Sequence, residues 1–227
     1  MKMRSGTAAR TLSEILITFN IALILTGCSS PSYKKGNAAA AGLQNAAAEV
    51  QAQSRALDLT VGSLRDLVDQ SSGDLTQQYQ SYCSNLDRFV TESRRTESSE
   101  RYMVERNAAY LQAWDKETAT IEYQHVRELS QKRKMEVADD IEAVQQRYKE
   151  SQAVVQPLIA YLEDIRKALG ADLTPAGIES MKGVVENADA NAAKVQTALG
   201  ALTATLNDSG ASMSSLAFQH TNTQTTP

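Results

Sequence analysis

The sequence predicts an all-α protein, an elongated antiparallel helical bundle or coiled coil of three to four long helices. Three observations carry that expectation. Apolar residues return at alternating steps of three and four along most of the chain, the a/d spacing of helices packed along a seam. Only three Phe and one Trp occur in 227 residues, too few bulky side chains for a thick core or a β-sandwich, whereas abundant Ala, Gln, Ser, Glu and Leu suit helices joined through thin layers. Short turn sequences, Ser71-Ser72-Gly73 and Ala171 to Thr174, separate the periodic stretches and force neighbouring helices to run antiparallel.

Helix-forming sequence begins at Asn37-Ala38-Ala39-Ala40-Ala41, and Leu43, Ala47, Val50, Ser54, Leu57, Val61, Leu64 and Val68 mark its seam. Ser71-Ser72-Gly73 ends it, and Asp74 is placed to cap the next helix. The second stretch opens on Leu75, Tyr79, Tyr82, Leu86 and Phe89, turns polar from Ser93 to Arg101, and recovers at Met103, Tyr110, Trp114 and Ile121. The polar interval reads as a solvated helix face with pairs such as Glu97 and Arg101 one turn apart. A hinge or a partner's docking point is the alternative. Apolar spacing lapses near Arg127 to Gln131, where the chain is expected to fold back; without that fold, residues 74–169 form one helix whose Trp114 and Ile121 need another chain to cover them.

Val137, Ile141, Val144, Tyr148, Ser151, Val155, Leu158, Leu162, Ile165 and Leu169 then give ten consecutive seam positions. Pro157 lies among them and predicts a kink but not a stop, because the rhythm continues in phase through it. Gly170 closes this helix, and Thr174-Pro175 supplies the cap and first turn of the last one. Its seam is Ile178, Met181, Val185, Ala188, Ala192, Val195, Leu199, Leu202 and Leu206. Residues 208–227 are rich in Ser, Thr, Asn and Gln without an apolar period, and are expected to be disordered.

The amino end has a different organisation. Lys2, Arg4 and Arg10 precede the apolar run Ile15 to Leu25, which at about 11 residues fits a secretory signal core and falls short of the roughly 20 that span a bilayer. The run closes on Leu25-Thr26-Gly27-Cys28, small residues that a protease can grip ahead of a cysteine. Together these residues resemble a bacterial lipoprotein signal with its lipobox, and the resemblance implies cleavage after residue 27 and lipidation of Cys28. The chain then divides into a signal peptide (1–27), a lipidated tether (28–36), a helical bundle (37–207) and a tail (208–227).

Charge and chemistry exclude several function classes. The leader carries Lys2, Arg4 and Arg10 against Glu14, so the formal charge of −4 becomes −6 once it is removed. A net acidic chain with no basic stripe argues against nucleic-acid binding. Acidic lipid surfaces are expected to repel it too, apart from Lys34-Lys35 beside the anchor. With Cys28 acylated, Cys83 has no intramolecular partner in an oxidising compartment; it reads as a small side chain at a seam edge, or as a site of intermolecular pairing. Glu122-x-x-His125 has the spacing of one half of a dimetal carboxylate site in a four-helix bundle, but His220, the only other histidine, lies in the tail. Tyr79, Tyr82, Tyr110, Tyr123, Tyr148 and Tyr161 fall in or beside the seam and read as packing. No Gly-x-Ser-x-Gly elbow or phosphate-binding glycine loop occurs. No catalytic residue, cofactor or metal site is therefore expected, and the protein is expected not to be an enzyme.

From Leu75 to Leu206 the chain resembles an uncharacterised family of bacterial helical lipoproteins, classed only as a domain of unknown function. The shared features are Trp114-x-x-Glu117 in a long helix, Ser130 at the bend, the Tyr148 region, Pro157-Leu158 followed by Leu162, Asp164 and Ile165, and the turn from Ala168-Leu169 to Leu173. The turn itself departs from many members, since Gly170-Ala171-Asp172-Leu173-Thr174 lacks their Lys, His and Asn type residues. The resemblance implies a Gram-negative envelope lipoprotein with no assigned activity, and Ser29 after the cysteine resembles the pattern sorted to the outer membrane. The expected role is structural or partner-binding, through an envelope protein or through self-association by helical seams or Cys83. The alternative is a lipid-handling module whose amphipathic helices open onto a bilayer.

Overall fold

The structure is a computed structural model and describes residues 32–69 and 74–215. Five helices follow in order: α1 (Ser32–Asp69), α2 (Leu75–Thr118), α3 (Gln124–Ala171), α4 (Pro175–Ser180) and α5 (Lys182–Met213). No strand occurs among the described residues. At 1.5 Å per residue the long helices are about 50 to 70 Å from end to end.

The seams dictate how they pack, because a helix with one apolar stripe must bury that stripe against others along its whole length. Packing joins α1 to α2, α2 to α3, α3 to α5 and α5 back to α1, which closes a four-helix ring. Direction follows from cross-helix contacts. Arg106 reaches the carbonyl of Ala38 and Asn85 that of Leu59, so residue numbers fall on α2 as they rise on α1. Trp114 meets Ser130 while Tyr82 meets Leu162 across α2 and α3. Tyr161 meets Val184 while Asp140 meets Ser212 across α3 and α5. Gln196 donates to the carbonyl of Ser54 at 2.9 Å, and Arg65 pairs with Asp189 at 2.7 Å, across α5 and α1. Every neighbour is antiparallel.

The ten seam positions expected in α3 are the ten that are buried there. All seven apolar seam positions of α1 are buried as well, and Ala39, Ala40, Ala46, Gln53, Ala56, Thr60, Ser63 and Leu67 join them. α1 has this wider stripe because it packs along its length on both α2 and α5. Asp74 caps α2 as expected, accepting from the backbone N–H groups of Thr76 and Gln77. Thr174 caps α4 through Gly177, with Pro175 in the first turn. α3 continues through Pro157 without interruption.

Five expectations are corrected. α1 starts at Ser32 and not at Asn37, so residues 32–36 of the expected tether are helix. Gly36 does not break it, since its missing side chain lets the Tyr110 ring lie where a Cβ would be 3.0 Å away. The chain folds back, but at Ala119 to Tyr123 and not near Arg127 to Gln131, which lie inside α3. The polar interval is only partly solvated: Ser93 and Thr96 are buried in the seam, and Glu97 takes a hydrogen bond from Gln156 at 2.7 Å instead of pairing with Arg101. The last helix is interrupted at Met181, which separates α4 from α5. α5 runs on to Met213, and Ser209, Gly210 and Met213 of the expected disordered tail are buried. The expected signal peptide, Cys28 and residues 216–227 of the expected tail lie outside the described residues.

Candidate functional site

Three chain ends meet at one end of the ring, here the base: the start of α1, the α2–α3 turn and the end of α5. Antiparallel packing requires this, and two contacts fix it. The Ser32 backbone N–H donates to Glu117 Oε1 at 2.6 Å, and the Ser215 N–H donates to Asn37 Oδ1 at 3.0 Å. Glu117 supplies an acceptor to one of the four N–H groups that a helix start leaves unpaired, and its negative charge suits the positive end of the α1 dipole.

The α2–α3 turn is clasped from inside. Trp114 Nε1 donates to Ser130 Oγ at 2.8 Å, and the Thr118 hydroxyl lies 3.0 Å from the same oxygen. Tyr110 packs on Trp114 with ring centroids 5.5 Å apart. Arg127 closes the turn by donating twice to the carbonyl of Ile121, at 2.6 and 3.0 Å. Lys134 reaches back to Asp115 at 2.5 Å. Ser130, expected at the bend, is thus the inner post of the clasp, nearly two turns into α3. Glu122 stands in the turn and His125 in the first turn of α3, both exposed, so they do not share the helix face that a metal site needs. Among the described residues no group of three His, Cys, Asp or Glu is placed to hold a metal ion.

Midway along the ring a polar layer interrupts the apolar seam. Gln53 of α1, Ser93 and Thr96 of α2, and Ser151 of α3 are all buried. Arg95 approaches Glu49 at 3.7 Å and Glu92 at 3.9 Å from the outside, while Gln152 donates to Glu100 at 2.6 Å. Tyr148 is fully buried at this level, and its hydroxyl has no hydrogen-bond partner. Burial pushes its phenol well above the ordinary value, and the Glu100 and Glu49 carboxylates push the same way. Tyr82, equally buried, differs in one respect: its hydroxyl donates to the Leu162 carbonyl at 2.7 Å. Burial raises the Tyr82 phenol too, helped by Cys83 and Glu163.

The remaining residues that the sequence singles out are dispersed. Cys83 is half-buried on α2, one turn from Tyr79. Tyr123 is 78% exposed at the turn, while Tyr79 and Tyr161 are half-buried and bond to helix carbonyls. An open groove of about 380 Å³ runs between α3 and α5 beside Pro157, lined by Val154, Leu158, Tyr161, Asn191 and Lys194. It brings together no set of catalytic groups. No described helix is long and apolar enough to cross a membrane.

The fold and its base define a class: an antiparallel helical bundle whose first helix is fastened at its start to the α2–α3 turn. The chain belongs to the family described as "Protein of unknown function (DUF2959)", which matches residues 32–216. That span begins at the first residue of α1 and ends just past α5, so the family unit is the whole bundle, clasp included. No curated protein and no solved structure matches the chain.

Proposed function

We propose that this protein is a lipid-anchored envelope protein, exported, cleaved after Gly27 and acylated on Cys28, with the bundle acting in the periplasm as a non-catalytic spacer or partner-binding rod. The observation that carries the reading is the lipobox sequence Leu25-Thr26-Gly27-Cys28, placed four residues ahead of α1. Support comes from the form of the bundle, since its long seams are covered within the chain and its chemistry-bearing residues are scattered. Ser29 favours the outer membrane, facing the periplasm.

Mass spectrometry of the mature amino terminus tests the anchor. The expected result is a terminal Cys28 carrying acyl chains, with Cys28→Ser releasing the protein from membranes; an unmodified terminus would refute it. A photoreactive residue at Arg95, whose side chain is 65% exposed beside the polar layer, tests the partner role in intact cells. A discrete cross-linked envelope protein is the expected product.

A further inference from the structure

The base of the bundle gathers most of the large apolar side chains that are exposed among the described residues. Tyr33 is 61% exposed, Tyr123 78%, Val126 51% and Leu129 56%. These are four of the seven large apolar residues exposed among the described residues, and all lie at the base. The last three are on the α2–α3 hairpin, which overhangs the ring. Gly36 of α1 sits against Tyr110 of α2, so Ser32 is level with about residue 114, and the hairpin continues past it by roughly 8 Å at the helical rise. Nothing in α3 before Val137 is buried, and its opening turns are met by α2, through Trp114 and Thr118 at Ser130.

The overhang is less acidic than the chain as a whole. Residues 32–38 and 112–136 hold seven Lys or Arg against five Asp or Glu, in a chain with 23 against 27. Lys34, Lys116 and Lys132 are exposed around the overhang. Tyrosines, aliphatic side chains and lysines at one level are the composition of a membrane–water interface.

What covers this face follows from chain length. Cys28 lies four residues ahead of Ser32, and four residue steps span at most about 14 Å. If Cys28 is acylated, the bilayer surface lies within that distance of the base, a gap too narrow for a folded domain, whose radius of gyration alone is about 13 Å for 100 residues. We propose that the α2–α3 turn, through Tyr123, Val126 and Leu129, is a wedge that inserts into the interfacial layer of the phospholipid bilayer holding the anchor. The overhang matches the roughly 5–10 Å to which interfacial elements bury their apolar faces. The wedge rests on the acylation of Cys28, and it gives the rod a second foot besides the acyl chains.

The test uses the full acylated mature chain in vesicles of phosphatidylethanolamine with a minor share of phosphatidylglycerol. In a Cys83→Ser background, Tyr123→Cys carries an environment-sensitive fluorophore; Ser180→Cys, exposed on α4 at the opposite end, carries the same label as the control. Vesicle flotation reports the anchor, and quenching by lipids brominated high on the acyl chain reports the wedge. The expected result is flotation of both proteins, with the label at 123 quenched several-fold more than that at 180. Flotation with equal quenching overturns the wedge and leaves the anchor standing; failure to float overturns both. Adding Val126→Asp and Leu129→Asp, exposed positions that leave helicity unchanged, is expected to abolish the difference, and a difference that survives shows that these side chains are not the wedge.

Discussion

Two tyrosines with the same burial and opposite hydrogen bonding make the sharpest test of the polar layer. Tyr82 and Tyr148 are both fully buried, but only Tyr82 has a partner for its hydroxyl, the Leu162 carbonyl at 2.7 Å. Removing a made hydrogen bond costs about 0.5–1.5 kcal/mol, whereas a buried hydroxyl without a partner already costs about 1–3 kcal/mol that its removal returns. Tyr82→Phe is therefore expected to lose about 1 kcal/mol, because the helical carbonyl of Leu162 keeps its backbone bond. Tyr148→Phe is expected to gain about 1 kcal/mol once the small void left by the oxygen is allowed for. In a domain of this size 1 kcal/mol moves Tm by about 2–4 °C, so the variants should differ by roughly twice that. Urea and thermal unfolding of the Cys28→Ser protein, followed by far-UV circular dichroism, measure the pair. If Tyr148→Phe lowers the midpoint as much as Tyr82→Phe does, the hydroxyl has a partner and the reasoning is wrong.

The same phenols set the alkaline limit. Their folded pKa values are raised while unfolded tyrosine titrates near 10, so the stability they hold is complete below pH 10 and lost as pH rises above it, by about 1.4 kcal/mol per pH unit for each. Tm should fall steeply beyond pH 10, and the Tyr82→Phe, Tyr148→Phe double variant should flatten that limb; an unchanged slope would exclude these groups as its cause. Leu162, fully buried on α3, should cost about 2–5 kcal/mol on truncation to Ala, read from the urea midpoint. Ser130→Ala removes the acceptor of the Trp114 indole N–H and should cost about 1 kcal/mol. Trp114 is the sole tryptophan, so its emission should shift red and its access to acrylamide should rise; an unchanged spectrum would mean the clasp does not hold the indole.

Large side chains made most of the fold legible. In α3 every seam position but Ser151 is a bulky apolar residue or tyrosine, and burial follows the sequence rhythm throughout. The boundaries escaped because small residues form them: Gly36 admits the Tyr110 ring, and Gly210 brings α5 so close that a Cβ would lie 3.3 Å from the Ala40 carbonyl. Such contacts leave no apolar signature. Ser93, Thr96 and Asn107 hid for the related reason that polar residues occupy buried seam positions. The turn was placed too late because the opening of α3 overhangs the ring and so has no reason to keep a periodic stripe. At the base, Trp114, Glu117 and Ser130 stood out in the sequence as separate features. That Trp114 bonds Ser130 across the turn, and that Glu117 holds the first N–H of α1, are long-range facts that spacing does not contain.

The fastening of α1 at its very first residue governs how a mechanical load would travel. A pull exerted through the amino end acts along the axis of α1, which is gripped on both flanks by α2 and α5. Yielding then requires α1 to slide, shearing many layers together, and cannot begin by peeling one layer at a time. Forced unfolding is set by the unfolding barrier and not by equilibrium stability, so a bundle of thin layers loaded in this way would withstand a pull at its amino end far better than its modest core suggests.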